Sequence, residues 1–195
     1  ICGHRTRDKF KHATTPYLPD GSLVRSDDEE EGQLAGNCCR VLMNNLWLAR
    51  LARPDLFRAI GELSKHVQKR SKNDDKRLYR LMCYMNDTKH YKLVCKINDT
   101  SDKLKLLMVV DADFAGNVEH SKSTSGAYLV LVGPDSWFPL GWVCKTQSST
   151  ARSSTEAEMV ALATTLFSEA LPMLQLFYRL FGRSVELAIL EDNEA

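Results

Sequence analysis

The sequence predicts a mixed α/β (α+β) fold, in which a helical appendage precedes three strands, a helix and a fourth strand. The spacing of apolar residues is helical from Asn37 to Asn86 and becomes strand-like from Leu104. Turns containing glycine separate the first three strand segments, as in an antiparallel meander. With 195 residues, 44% of them hydrophobic and 26% charged, the chain can bury the core of one ordinary domain plus an appendage.

The first 36 residues predict an irregular linker. Two prolines, the Asp20-Gly21 turn and an acidic run over 27–31 leave no helical or strand period and little apolar surface. The sequence begins without an initiator Met and without the apolar core of a signal peptide. We therefore expect this chain to be a piece of a longer protein.

Residues 37–100 predict a helical module. Three helices are expected, from about Val41 to Arg53, from Asp55 to Val67, and from Asp74 or Asp75 to about Met85. The proline after Arg53 ends the first helix, because it cannot continue the hydrogen-bonding pattern. The segment 91–97 then predicts a strand.

Residues 101–195 predict a sheet that packs on a long helix. Strands are expected over 104–111, 126–132 and about 137–145. The helix begins near Ser153, is kinked or restarted by Pro172, and ends at Gly182, a residue suited to the left-handed C-cap. A further strand over 185–190 leads to Asp192.

Carboxylates occur at three positions where a strand ends or a helix begins: Asp111, the pair Glu156 and Glu158, and Asp192. Carboxylates brought together from separate elements repel one another unless they share a cation, and hard divalent ions such as Mg²⁺ prefer oxygen ligands. Each position alone has an ordinary explanation, as a polar turn, a helix-capping box or a strand exit. Together, the order of strand, helix and strand favours metal-assisted phosphodiester chemistry.

Charge is divided unevenly along the chain, although the net charge is +1. Residues 37–100 contain 14 Lys and Arg against 6 Asp and Glu, a net of +8, whereas residues 101–195 contain 7 against 12, a net of −5. A basic segment beside an acidic one is typical of a nucleic-acid holder attached to a nuclease site. A solvated helical surface explains the same charges, and charge alone does not decide between the two.

Cysteine usage and hydropathy indicate the compartment. The six cysteines form no C-x-x-C pair, which favours reduced, intracellular thiols over a disulfide framework. No uninterrupted apolar run approaches 18 residues, so no membrane partner is expected. The sequence therefore predicts an intracellular location, in the cytoplasm or nucleus, rather than secretion.

Three motifs carry a family resemblance: the residues of 111–116 (DADFAG), 123–126 (STSG) and 153–158 (SSTEAE). In this order they resemble the ribonuclease H domain of copia-class LTR retrotransposon Pol polyproteins. The motif at 53–56 (RPDL) and the helices after it are similar to the connection region that follows reverse transcriptase in those polyproteins. The resemblance covers about residues 37–195.

The resemblance implies a ribonuclease H-like mixed sheet, with three antiparallel strands, a helix and a parallel fourth strand. It divides the chain into a linker (1–36), a connection region (37–100) and a ribonuclease H-like domain (101–195). In the family a final strand, a C-terminal helix and a fourth metal-binding acid follow. They would lie beyond Ala195, so we expect the domain as given to be truncated at its C-terminus and weakly active or inactive.

The resemblance also assigns roles to residues. Asp111, Glu158 and Asp192 match the catalytic and metal-binding acids, which in the family hold two Mg²⁺ (or Mn²⁺) ions. Residues 156 and 158 lie about 200° apart around a helix, so both cannot face one site. Asp113 matches a companion of Asp111 that is not normally a ligand.

The function that the resemblance implies is metal-dependent endonucleolytic cleavage of the RNA strand of RNA–DNA hybrids during reverse transcription. The reverse transcriptase portion of the same polyprotein would be its partner. The alternative is a catalytically inactive retroelement remnant that at most holds nucleic acid. The candidate contacts to the hybrid are Lys122, Ser123, Thr124, Lys145, Gln147, Ser149, Arg152 and Asn193.

Overall fold

The computed structural model describes residues 10–18, 22–23, 25–116 and 121–192. The chain divides into two compact units, Ile1–Leu93 and Val94–Ala195. This division falls seven residues before the boundary expected after residue 100. Residues just before that boundary belong to the second unit, because the N–H groups of Asn98 and Asp99 donate to Ser136 Oγ at 2.9 and 3.0 Å.

The first unit is helical. Its helices are α1 (Ala35–Leu51), α2 (Phe57–Lys65) and α3 (Lys72–Asp87), with short 3₁₀ turns at Arg25–Asp28 and Pro54–Leu56. The third helix begins two residues before the earlier predicted start, Asp74. Ser71 is its N-cap, and Asp74 completes a reciprocal capping box with it. The unit packs around fully buried side chains of Leu42, Leu56, Ile60 and Leu81.

Part of the predicted linker packs against α3. Ala13 is 2% exposed, and its N–H donates to the Asp87 carboxylate at 2.7 Å. Asp27 forms ion pairs with both Lys72 and Lys76. The hydrogen bond from Lys76 is the main cause that holds the pKa of Asp27 below its ordinary value. The acidic run therefore has a structural role in this unit, which local periodicity could not reveal.

The second unit contains a four-stranded sheet and two helical segments. Its elements are β1 (Lys105–Asp113), β2 (Thr124–Gly133), β3 (Ser136–Thr146), α4 (Ser154–Thr165), α5 (Leu171–Phe181) and β4 (Leu187–Leu190). The strand order is β3-β2-β1-β4, with β1 antiparallel to β2 and parallel to β4. This mixed topology confirms the predicted ribonuclease H-like fold class.

The sheet core lies against α4. Alternate residues of β1, namely Leu106, Met108 and Val110, are at most 2% exposed. They pack in one cluster with Ala157 and Ala161, whose small side chains let the helix approach the sheet closely. Period-two alternation therefore sets which face of β1 is buried, and it leaves Asp111 on the opposite, exposed face.

β4 is an edge strand of this sheet in the part of the chain that the structure describes. It has only four residues, and the side chains of Ile189 and Leu190 are 38% and 54% exposed. The strand predicted over 91–97 is wrong. Of its residues only Lys96 pairs, in an isolated bridge with Trp137 of β3, so the alternating apolar residues there form no ladder with that strand.

The helix after β3 changes winding before Pro172. A π-helical turn, Leu166–Ala170, separates α4 from α5. Proline removes an N–H and clashes with the carbonyl four residues earlier, and a wider turn relieves this conflict. The predicted C-cap is confirmed, since Gly182 has φ 66° and its N–H donates to the Tyr178 carbonyl at 3.0 Å.

The whole helical stretch Ser154–Phe181 is long and apolar enough to cross a membrane, with a mean hydropathy of 1.4 over 18 residues. This stretch contains no long uninterrupted apolar run, because Ser, Thr and Glu residues occur among its apolar residues. A helix of this length and composition can also be the core helix of a globular domain. Ala157, Ala161 and Phe177 of this stretch pack in the sheet core. The expectation of no membrane partner stays a prediction.

Candidate metal centre

Asp111, Glu158 and Asp192 converge at one edge of the sheet. Each offers a carboxylate oxygen, and these three oxygens all lie within 4.8 Å of one another. The parallel pairing of β1 and β4 explains the two aspartates, because the carboxyl ends of parallel strands meet at the same edge. The glutamate comes from the second turn of α4, which crosses the same sheet.

Glu156 and Glu158 have different environments, as their helical phase predicts. Glu156 is exposed, and its carboxylate accepts the Arg152 N–H at 2.6 Å, which caps the start of the helix. Ser153 Oγ in turn accepts the Glu156 N–H at 3.1 Å. Glu158 is only 7% exposed and belongs to the acid cluster. The ordinary capping role therefore falls to Glu156.

Burial is the main cause that raises the pKa of Glu158 above its ordinary value. A hydrogen bond from the backbone N–H of Ala112 opposes this shift, and the charges of Asp111, Asp192 and Glu191 add to it. Glu158 Oε2 is buried and has no hydrogen-bond partner among the residues that the structure describes. The arrangement is electrostatically unfavourable for three carboxylates alone.

This donor set fits a hard divalent cation. All three ligands are carboxylate oxygens, which Mg²⁺ and Mn²⁺ prefer. A cation would also give the orphaned Glu158 Oε2 a partner and relieve the repulsion that raises its pKa.

Asp113 is not part of the cluster, although it lies two residues after Asp111. Its carboxylate packs against the loop that follows β1, so close that a Cβ on Gly116 would lie 2.1 Å from it. Gly116 therefore makes room for Asp113, and the loop motif has a structural explanation.

Comparison with known proteins shows what the chain is similar to. It is 32% identical over 153 residues to the retrovirus-related Pol polyprotein from transposon RE2 of Arabidopsis thaliana, which is 78% of this chain. It is 32% identical over 160 residues, or 80% of this chain, to the polyprotein from transposon RE1 of the same plant. The chain is similar to a segment of retrotransposon Pol polyproteins.

The chain spans about 10% of the length of each of those two polyproteins. It is also 36% identical over 118 residues to secreted RxLR effector protein 161 of Plasmopara viticola, which covers 60% of this chain and 78% of that protein. No family model and no solved structure matches the chain.

The predicted nucleic-acid contacts of the chain differ in exposure. Lys145, Ser149 and Arg152 are exposed near the start of α4. Lys122 is half-buried, and its ammonium group donates to the Ser148 carbonyl at 2.9 Å. The remaining described candidates, Ser123, Thr124 and Gln147, are buried. Asn193 lies outside the described residues.

The sequence reasoning did not single out Ser125. It is 4% exposed and lies opposite Ala112 in the β1–β2 register, beside the acid cluster. A run of polar residues at the start of an otherwise apolar strand was the available signal, because buried polar groups need partners.

Six basic side chains of the helical unit have acidic partners. Ion pairs join Arg53 to Asp55, Lys65 to Glu62, Arg70 to Asp75, Arg77 to Asp74, and Lys72 and Lys76 to Asp27. The net charge of +8 over residues 37–100 already counts the acids of that segment, but Asp27 lies outside it, so the charge that is available to phosphates is smaller than +8. The exposed cations of α1, Arg40 and Arg50, are better placed for such contacts than the paired ones.

Proposed function

We propose that this Pol segment is a metal-dependent ribonuclease H, which hydrolyses the RNA strand of RNA–DNA hybrids within a larger Pol polyprotein. The observation that carries the proposal is the convergence of Asp111, Glu158 and Asp192 on one site with a donor set that fits a divalent cation. Homology to Pol polyproteins and the mixed sheet topology support the same assignment.

The three acids would hold Mg²⁺ or Mn²⁺, two ions in the scheme that we favour. When bound, such ions polarise the phosphoryl oxygen, activate water and stabilise the leaving oxygen. The burial of Glu158 excludes water from one side of the site, and the Ala112 N–H fixes one oxygen of its carboxylate. The exposed Asp111 and Asp192 leave the other side open to a substrate as large as a duplex.

Substrate contacts would come from the polar segment before α4. Lys145, Ser149 and Arg152 are exposed and suited to phosphate and sugar oxygens, which position a duplex without reading its sequence. In an RNA–DNA hybrid the 2′-hydroxyl distinguishes the strand to be cut. We therefore propose that the partner is a hybrid recognised by shape, together with the reverse transcriptase portion of the polyprotein.

A cleavage assay tests this function. The chain, extended to include the C-terminal strand, helix and fourth acid that the family resemblance places after Ala195, is incubated with a hybrid labelled on its RNA strand, and in parallel with double-stranded DNA and RNA, in Mg²⁺ or Mn²⁺. We expect cleavage of the hybrid alone, leaving 3′-hydroxyl and 5′-phosphate ends. Asp111→Asn should abolish it, because this change removes a ligand charge with little change in size. Glu156→Gln is the matched control and should cleave normally, since Glu156 lies outside the cluster.

Two results would count against the proposal. Cleavage that persists in Asp111→Asn would show that the acids are not the catalytic site. Hybrid binding without cleavage in either metal would favour the alternative, an inactive module that holds nucleic acid. The affinity of Asp111→Asn for the hybrid is the control measurement. It should stay close to that of the wild type, because ground-state affinity comes mainly from phosphate contacts.

A further inference from the structure

Three buried polar residues, Ser123, Ser125 and Gln147, form a cluster that we call the buried polar bracket. Their side chains are 0%, 4% and 6% exposed. The Gln147 amide Nε2 donates to Ser125 Oγ at 3.0 Å and to the Ala157 carbonyl at 2.8 Å. The backbone N–H of Gln147 donates to the Ser123 carbonyl at 2.8 Å. One side chain therefore links the end of β3 to both β2 and α4.

The bracket connects the elements that carry two of the three acids. Ser125 lies opposite Ala112, the residue after Asp111. Ala157 is the residue before Glu158, so the Gln147 amide holds the backbone of α4 at the point where the glutamate leaves it. Ser123 Oγ also accepts the Ala115 N–H at 3.2 Å, which ties down the loop that follows β1.

We propose that Gln147 is a positioning residue, which fixes α4 against the sheet so that the Glu158 carboxylate meets Asp111 in a metal site. The inference rests on the proposed function and adds to it a residue that does not touch metal or substrate. The geometry requires a side chain with two N–H donors on one nitrogen. Glutamate has none when ionised, and leucine fills a similar volume without any donor.

A purely structural role fits less well. Gln147 Oε1 is buried and has no partner among the described residues, so the position carries a buried unsatisfied acceptor that an apolar side chain would avoid. A glutamine at this position supplies two N–H donors, which bond to β2 and to α4, the helix that carries Glu158. Outer contacts of this kind orient metal ligands and tune their affinity.

The test measures Mn²⁺ affinity by paramagnetic resonance titration of the chain. Gln147→Leu should weaken Mn²⁺ binding about tenfold and lower kcat by a similar factor, while KM for the hybrid stays nearly constant. Ser125→Ala should have a smaller effect in the same direction, because the bond from Gln147 to Ala157 remains. The control is Thr165→Val, since Thr165 is also fully buried on α4 but, among the described residues, bonds only within its own helix, to the carbonyls of Ala161 at 2.8 Å and Leu162 at 3.3 Å. It should leave Mn²⁺ affinity unchanged.

The outcomes separate this inference from the proposed function. If the wild type binds no Mn²⁺, the proposal that the three acids bind a metal is wrong, and the inference about Gln147 is wrong as well. If the wild type binds Mn²⁺ and a folded Gln147→Leu variant binds it equally well, the bracket is only structural and the inference alone is overturned. If Gln147→Leu does not fold by circular dichroism, Ser125→Ala decides, and an unchanged affinity in that variant overturns the inference.

Discussion

Replacing Glu158 by glutamine should stabilise the protein at neutral pH when no divalent ion is present. Glu158 is buried beside two other carboxylates, and its pKa is raised above the ordinary value, first by burial. The amide keeps an oxygen that can accept the Ala112 N–H and removes the charge. It can also donate to the neighbouring aspartates, which turns a repulsion into hydrogen bonding.

The separations give the expected size of the effect. At 4.8 Å, the upper limit among the ligand oxygens, two unit charges repel by about 0.9 kcal/mol in water and by about 3.5 kcal/mol at an effective dielectric constant of about 20. Asp111 and Asp192 are exposed, so the lower figure is the better one for each pair. The free energy of unfolding should therefore rise by about 1–2 kcal/mol.

The pH dependence follows from the direction of the shift. A carboxyl group whose pKa is higher in the folded than in the unfolded state contributes stability that is fully present below the unfolded pKa, about 4.3 for Glu. That contribution is lost as the pH rises through the folded pKa of Glu158. The glutamine variant does not titrate there, so its advantage should be small near pH 4 and reach its full size at neutral pH.

Urea denaturation in EDTA at low ionic strength, followed by tryptophan fluorescence, measures this difference at both pH values. Trp137 and Trp142 on β3 report on the unit that contains the acids. Glu156→Gln is the control, because it removes the same charge one half-turn away and outside the cluster. A Glu158→Gln variant that is less stable than wild type at neutral pH would refute the electrostatic reasoning, as would an advantage independent of pH.

Three other measurements test separate parts of the structure. Mg²⁺ at ten times its dissociation constant should raise the free energy of unfolding of the wild type by about 1.4 kcal/mol and that of Asp111→Asn by much less, and equal gains would place the ion elsewhere. Met108→Ala should cost about 2–5 kcal/mol in urea denaturation, because Met108 is fully buried, and a negligible loss would contradict the assigned core face of β1. Arg152→Gln should lower the slope of log affinity for a hybrid against log salt by about one, whereas an unchanged slope would show that Arg152 contacts no phosphate.

The convergence of the acids could be predicted from the sequence because it depends on few variables. A strand, a helix and a second strand each carry one acid, and the resemblance supplies the parallel pairing that brings the strand ends together. The helical period shows that Glu156 and Glu158 cannot both face one site, and the family resemblance selects Glu158. The structure shows the corresponding burial of one and exposure of the other.

Features that depend on contacts between distant residues could not be predicted in this way. The alternation at 91–97 matches a strand, but no neighbouring strand pairs with it beyond Lys96. Asp27 looks like part of a solvated acidic run, yet it neutralises Lys72 and Lys76 more than 40 residues later. From the sequence, Gln147 is expected to be a surface contact, because glutamine is usually exposed. Its partners, Ser125 and Ala157, come from a preceding strand and a following helix.

The position of β4 has a consequence for the behaviour of the protein in solution. Asp192 reaches the acid cluster only because β4 lies at the sheet edge beside β1, and this short strand presents exposed Ile189 and Leu190. Among the described residues no strand pairs with the outer side of β4, and an open apolar edge is a template for a further strand, whether from the same polyprotein or from another molecule. A strand added there would run beside the residues that lead to Asp192. Self-association at this edge would therefore obstruct the acid cluster. Molecules that associate through β4 would bind ligands at the acids less readily than separate molecules.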